Sequence, residues 1–197
     1  MTKSIVLYEL DALVEDDLTR VTDELAEAVE RSEAAVQAAI ADSRERYERG
    51  EITQAAHWGQ IALKLALEDT EVIGAFALNS AEFNQELLGR IRAQSPIMTL
   101  GLISDATPDW VGHWRKTYQL DELLHVHVIG SELEEEHAGR DYRGLLELSA
   151  ERLQSETGNV HFVDRKPAHL ELARELGMQT IDLAGAPDLK TAFTGLQ

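Results

Sequence analysis

The sequence predicts an α/β fold: a doubly wound, mainly parallel sheet with a helical insertion after its first strand. Three observations carry this. Short apolar runs (IVLY at 5–8, MTLGLIS at 98–104, HVHVIGS at 125–131, VHFVD at 160–164, MQTIDL at 178–183) read as strands. From residue 98 onward they alternate with amphipathic helical stretches, the pattern of parallel strands joined by crossover helices. Residues 15–91, between the first two runs, show helical periodicity only.

Taken in order, Ser4 to Tyr8 is continuously apolar after its first residue rather than alternating, so it suits a strand covered on both faces. From Asp17 to Arg49, apolar residues recur at Leu18, Val21, Leu25, Val29, Val36, Ile40 and Tyr47. These steps of three, four and seven predict one long or two shorter amphipathic helices, ended by Gly50. Thr53 can cap a helix through about Leu67, and Ser80 another through about Ala93 that buries Phe83, Leu87 and Ile91. After the second strand, Thr107-Pro108 opens a helix with proline at its first position, carrying Trp110, Val111 and Trp114. The third strand leads into a polar loop, ELEEEHAGRD, and a helix from about Tyr142 to Ser155. The fourth strand ends at Asp164, Pro167 opens a helix through Leu176, and a fifth strand follows. The expected organisation is a core of residues 1–14 plus 92–197 with an insertion at 15–91, without internal repeats or low-complexity linkers.

Composition narrows the function. With 197 residues, 44% hydrophobic and 27% charged, the chain has the make-up of an ordinary globular protein with one sizeable core. Cysteine is absent, which removes disulfides, thiolate metal sites and cysteine nucleophiles. Thirty-six acids against eighteen bases give a formal charge of −18, which opposes nucleic acid and anionic membranes. No apolar run approaches the roughly 20 residues of a membrane span. Four apolar residues before Glu9 do not make a signal peptide. The expectation is therefore a cytoplasmic protein with neither a nucleic-acid nor a membrane partner.

In open α/β sheets, ligands bind outside the carboxyl ends of the strands. Strand one delivers Glu9 and Asp11 there, strand two Ser104 and Asp105, strand three Ser131 and Glu132, and strand four Asp164, Arg165 and Lys166. In this order and spacing LYELDALVED, GLISDATPDWV, GRDYRGLLELSAERL and VHFVDRKPAHLELARELGM resemble the four motifs of the haloacid dehalogenase (HAD) superfamily. The likeness is nearest to its small phosphatase branch with a helical cap. It covers nearly the whole chain, and its most specific part is the proline followed by a helix ending ARELGM.

The resemblance implies a Rossmann-like core, a cap at 15–91 and Mg²⁺-dependent phosphatase chemistry through an aspartyl-phosphate. Position by position, Glu9 stands where the family has its nucleophilic Asp, and Asp11 matches the general acid and base. Ala12 replaces the usual glycine. Ser104 fits the phosphate-binding hydroxyl, and Arg140 is the nearest match to the motif-three lysine. Asp164 keeps the first of the paired Mg²⁺-binding acids, while Arg165 takes the second place. A glutamate displaces the attacking oxygen by more than about 1 Å, enough to cost on the order of 10²-fold. A guanidinium offers Mg²⁺ no oxygen.

Two site arrangements follow from these departures. Glu9 and Asp164 can hold a weak metal, or Arg165 or Lys166 can pair with Glu9, Asp11 or Asp164 in place of the cation. Each residue also has a plainer reading: Glu9 and Asp11 as solvated strand-end acids, Ser104 as a turn cap, Arg140, Arg165 and Lys166 as surface charge. His125 and His127 alternate on one strand, at a spacing compatible with metal ligation, but the sequence places no third ligand nearby. His57, Trp58, Trp110 and Trp114 suit packing, and His137 with Glu132 and Glu134–Glu136 a solvated loop.

Three functions stay open: a HAD-like hydrolase family member with impaired or lost chemistry that binds a ligand or partner, an active phosphatase on a small phosphorylated metabolite, and an interaction protein. In the third, cap residues such as Leu18, Val21, Leu25 and Val29 form a homodimer. A monomer whose helices cover their own stripe accounts for the same pattern.

Overall fold

The computed structural model describes residues 4–15, 18–48, 51–67, 82–106, 108–133, 141–186, 188–194 and 196. The chain divides into two compact units, Met1–Leu13 with Asn84–Gln197, and Val14–Phe83. The second boundary falls after Phe83 rather than after residue 91, so the helix beginning at Gln85 goes with the sheet.

In the first unit β1 (Ile5–Glu9) is buried at every position, as its unbroken apolar character requires. It is the central strand of a five-stranded parallel sheet, between β4 (Thr99–Ser104) and β6 (Val160–Asp164). β5 (Val126–Ile129) lies outside β4, and β7 (Gln179–Asp182) outside β6. The chain therefore winds outward on one side of β1, then returns to wind outward on the other. The crevice of the switch opens at the carboxyl ends of β1, β4 and β6.

Alternation along β1 sends Ile5 and Leu7 to one face of the sheet and Val6 and Tyr8 to the other. On the first face Leu7, Ile103, Val128 and Phe162 pack with Leu145, Leu146 and Leu148 of α7 (Tyr142–Arg152) and Leu170 of α8 (Pro167–Glu175). On the second, the Tyr8 hydroxyl donates to Gln94 Oε1 at 2.5 Å, at the end of α4 (Gln85–Gln94). The Tyr8 ring also meets Phe193, which lies under the Arg90 guanidinium. Each fully buried Leu or Phe contributes about 1.5–3 kcal/mol, against about 1 kcal/mol for a cap. Packing therefore seats these helices, and caps set their first residues. Asn84 caps α4 by accepting from the Leu87 amide at 2.7 Å. Ser80, the expected cap, lies outside the described residues.

α5 (Pro108–Tyr118) carries the fully buried Trp114, which confirms the packing reading of that residue. The side chain of Trp110 lies outside the described ones. Short helices α6 (Leu120–Leu123) and α9 (Leu189–Ala192) complete the unit, and neither is legible from periodicity because each is a single turn.

The second unit contains α1 (Leu18–Ala28), α2 (Glu33–Glu48) and α3 (Gln54–Lys64) around Leu25, Val29, Val36, Ile40, Ile61 and Leu65. The predicted helical run thus resolves into two. The break comes where Glu30 takes a positive φ of 52° and Ser32 caps the next helix through the Ala35 amide. The unit is not purely helical: β2 (Val14–Glu15) pairs antiparallel with β3 (Glu82–Phe83), too short a pair to leave a period in the sequence. His57 is buried, with Nδ1 2.7 Å from Ser43 Oγ and its ring stacked on Tyr47, so it is a packing residue. Leu25 and Val29 are buried inside this unit, whereas the side chains of Leu18 and Val21 lie outside the described ones. Among the described residues no helix is long and apolar enough to cross a membrane.

Candidate functional site

The register of the sheet sets which side chains meet. Glu9 ends β1 opposite Ile103, one residue before Ser104 ends β4, and Tyr8 lies opposite Val163, one residue before Asp164 ends β6. The three strands therefore stop at one level and deliver Glu9, Ser104 with Asp105, and Asp164 to the same crevice.

Glu9 is fully buried. Its Oε2 accepts from the Asp11 amide at 2.5 Å, and its Oε1 has no hydrogen-bond partner among the described residues. Burial, then the neighbouring Asp11, pushes its pKa well above the ordinary carboxylate range, with Lys166 acting in the opposite sense. Asp11 lies on the single helical turn Asp11–Leu13 that follows β1, and its Oδ2 accepts from Lys166 Nζ at 2.8 Å. The two side chains are only 13% and 8% exposed, so this ion pair is a feature of the crevice, not of the surface.

Asp164 is engaged on both oxygens. Oδ1 accepts from the Arg165 amide at 2.6 Å and the Lys166 amide at 3.1 Å, and Oδ2 is 2.8 Å from His169 Nδ1. These contacts tie the loop after β6 to the first turn of α8 and aim Lys166 at Asp11. His169 is 1% exposed, as is its partner carboxylate. Tyr142, the first residue of α7, stacks on the His169 ring with centroids 3.5 Å apart and planes 11° from parallel. Burial first, then the charges of Glu9, Asp164, Asp105 and Asp11, raise the pKa of its phenol.

Ser104 is fully buried, and its Oγ accepts from the Ala106 amide at 3.1 Å, so the turn-cap reading describes the hydroxyl as it stands. Asp105 follows it, with Oδ1 buried and unpartnered among the described residues and its pKa raised, chiefly by burial. One carboxylate oxygen each from Glu9, Asp11 and Asp105 lie within 4.8 Å of one another. Hard oxygen donors at that spacing are able to hold a cation.

The structure thus brings Glu9, Asp11, Ser104, Asp164 and Lys166 together. Arg165 follows Asp164 on the same loop, and Arg140, His137 and Glu134–Glu136 lie outside the described residues. The two edge-strand histidines have other occupations: His125 Nδ1 accepts from the Leu100 amide, and His127 Nε2 stands 3.5 Å from Asp121. Glu132 pairs with Arg115 at 2.7 Å. The sequence places Asp105 at the end of the second strand without giving it a role, and it points to neither Tyr142 nor His169. Asp105 was visible as the residue after Ser104, and the interval of five between Asp164 and His169, spanning Pro167, suits a strand-end acid facing the first helical turn. Tyr142 carries no such signal, because only the packing of α7 on α8 brings it to the site.

A parallel sheet in the order β5-β4-β1-β6-β7, with carboxylates at the ends of its inner strands, is the haloacid dehalogenase-like fold, and solved structures agree. A HAD-family enzyme of Bacteroides thetaiotaomicron, in complex with magnesium and inorganic phosphate, is similar over 97% of this chain and 99% of its own, with TM-score 0.63 and 16% identity. The putative HAD-hydrolase YfnB of Bacillus subtilis, bound to magnesium, matches over 91% and 88%, with TM-score 0.69 and 10% identity. The L-2-haloacid dehalogenase of Xanthobacter autotrophicus, with chloropropionic acid covalently bound, matches over 92% and 77%, with TM-score 0.69 and 14% identity. No protein-family model and no curated protein matches the chain.

Proposed function

We propose that this protein is a HAD-fold, hydrolase-like protein that has kept the family's pocket and lost its Mg²⁺-dependent aspartyl-phosphate chemistry, leaving a pocket that binds a ligand. The observation that carries the reading is the Lys166–Asp11 pair, 2.8 Å long and almost fully buried at the strand ends. An ammonium there offsets acid charge that a metal would otherwise balance. It is the pairing by which Lys166 takes the place of the cation.

The residues present fit the family's Mg²⁺ poorly. The ion demands near-octahedral oxygen ligands and keeps several waters, whereas Arg165 stands at the second motif-four acid and Asp164 already serves two amides and His169. Glu9 is one methylene longer than an aspartate nucleophile and so displaces the attacking oxygen, and its pKa is driven up rather than down. No step through the metal is therefore derived. A second reading rests on the carboxylate cluster of Glu9, Asp11 and Asp105. In it these acids would hold a weakly bound Mg²⁺ that would supply charge stabilisation for turnover of a small phosphorylated molecule, with Asp11 as base, Ser104 as the phosphate-binding hydroxyl and Arg140, by the motif match alone, as the phosphate-binding cation.

Phosphate release from an aryl phosphate, with and without Mg²⁺, separates the two. The expected result is silence from the natural protein and Mg²⁺-dependent turnover from the double variant Glu9→Asp, Arg165→Asp. Metal-dependent turnover by the natural protein that disappears in Glu9→Ala would establish a working phosphatase instead.

A further inference from the structure

Three buried oxygens at the strand ends lack a partner among the described residues: Glu9 Oε1, Asp105 Oδ1 and the Tyr142 hydroxyl. They come from separate places in the chain, the end of β1, the loop after β4 and the first turn of α7. Buried polar atoms are ordinarily satisfied, and leaving one unmade is costly. Tyr142 is held in place by its stack on His169, itself held by Asp164, and its hydroxyl lies in the field of Glu9, Asp164, Asp105 and Asp11.

Charge narrows what the three could share. Lys166 is committed to Asp11, and Asp164 to His169 and two amides. Lys166 pairs directly with Asp11 and offsets Glu9 and Asp105 only in part, so the carboxyl groups outnumber the ammonium and oppose an incoming phosphate. A primary ammonium carries three N–H donors. Its charge-assisted contacts are about 2.8 Å long, so two acceptors on one tetrahedral nitrogen stand about 4.6 Å apart. One carboxylate oxygen each from Glu9, Asp11 and Asp105 lies within 4.8 Å of the others, a spacing of that size between Glu9 and Asp105.

Resting on the reading of a ligand-binding pocket without phosphoryl chemistry, we propose that this pocket takes the primary ammonium group of a small amine, its three N–H groups donating to Glu9 Oε1, Asp105 Oδ1 and Tyr142 Oη. The ligand then supplies the positive charge that the family's site takes from a metal.

Calorimetric titration of the full chain at constant ionic strength tests this, with propylammonium chloride, tetramethylammonium chloride, MgCl₂ and inorganic phosphate as probes. The expected result is saturable binding of propylammonium alone, at least tenfold weaker in Glu9→Gln and in Asp105→Asn, and weaker in Tyr142→Phe. Tetramethylammonium has the same charge and no N–H donor, so its equal binding would overturn the proposal. So would unchanged affinity in both acid variants, binding of phosphate or Mg²⁺ instead, or no binding of propylammonium. If a variant fails to fold, the comparison of the two ammonium ions on the natural protein still decides. Failure of the underlying reading registers separately, as Mg²⁺-dependent phosphate release.

Discussion

Glu9 has one carboxylate oxygen on the Asp11 amide and the other without a partner, in a fully buried position beside two further acids. Glu9→Gln keeps an oxygen for the Asp11 amide and offers Asp11 or Asp105 an N–H in place of a like charge. The variant is expected to be more stable than the natural protein at pH 7 by about 1–3 kcal/mol, the scale of an unsatisfied buried group, measured by urea unfolding. A less stable variant would show that Glu9 is already compensated. Lys166 is the converse case, because Lys166→Met leaves Asp11 without its ammonium. The expected loss is about 3 kcal/mol, typical of breaking a buried pair, and most of it should return in the double variant Lys166→Met, Asp11→Asn. If the two losses simply add, the pair is not coupled.

Among the elements, β4 runs so close to β1 that a Cβ built on Gly101 meets Leu7 Cδ1 at 3.0 Å, with the Leu153 methyls at 3.5 Å. Both leucines belong to the main core, so Gly101→Ala forces a shift in packed side chains. A loss of about 1–3 kcal/mol is expected from overpacking, and a thermal midpoint equal to that of the natural protein would contradict it. At the outer end of the sheet, Arg115 of α5 donates to Asp121 and to Glu132. The Asp121 pKa is lowered, first by that hydrogen bond. A depressed carboxylate binds its proton more weakly folded than unfolded. Its contribution is therefore complete above its ordinary value of 3.8 and is lost as pH falls through the lower folded value. Arg115→Gln should accordingly differ from the natural protein at pH 5 to 6, with the gap closing below pH 4. A gap independent of pH would assign the effect to packing. Asp121 is half exposed, so the effect is small.

On the scale of the molecule, a formal charge of −18 favours expansion through self-repulsion. Salt screens it, with the Debye length falling from about 30 Å at 0.01 M to about 10 Å at 0.1 M. The thermal midpoint should rise between these two NaCl concentrations, and a falling midpoint would mean that favourable ion pairs outweigh the repulsion. Much of the architecture is legible in the chain because it is local. The continuous run at 5–8 marks a strand covered on both faces, and Pro167 marks the start of α8. The residues of Glu9, Asp11, Ser104 and Asp164 are named by their place after apolar runs, since a strand delivers its last residue to its end whatever lies beside it. What the sequence by itself determined is therefore the fold class, the order of elements and most of the chemistry-bearing acids. Only the tertiary structure decided that Lys166 meets Asp11 across 155 positions of chain, that Tyr142 reaches the same crevice, and that Asp164 is spent on His169. Periodicity reports the direction a side chain takes from its own element, while an ion pair or a stacked ring depends on the register and packing of two.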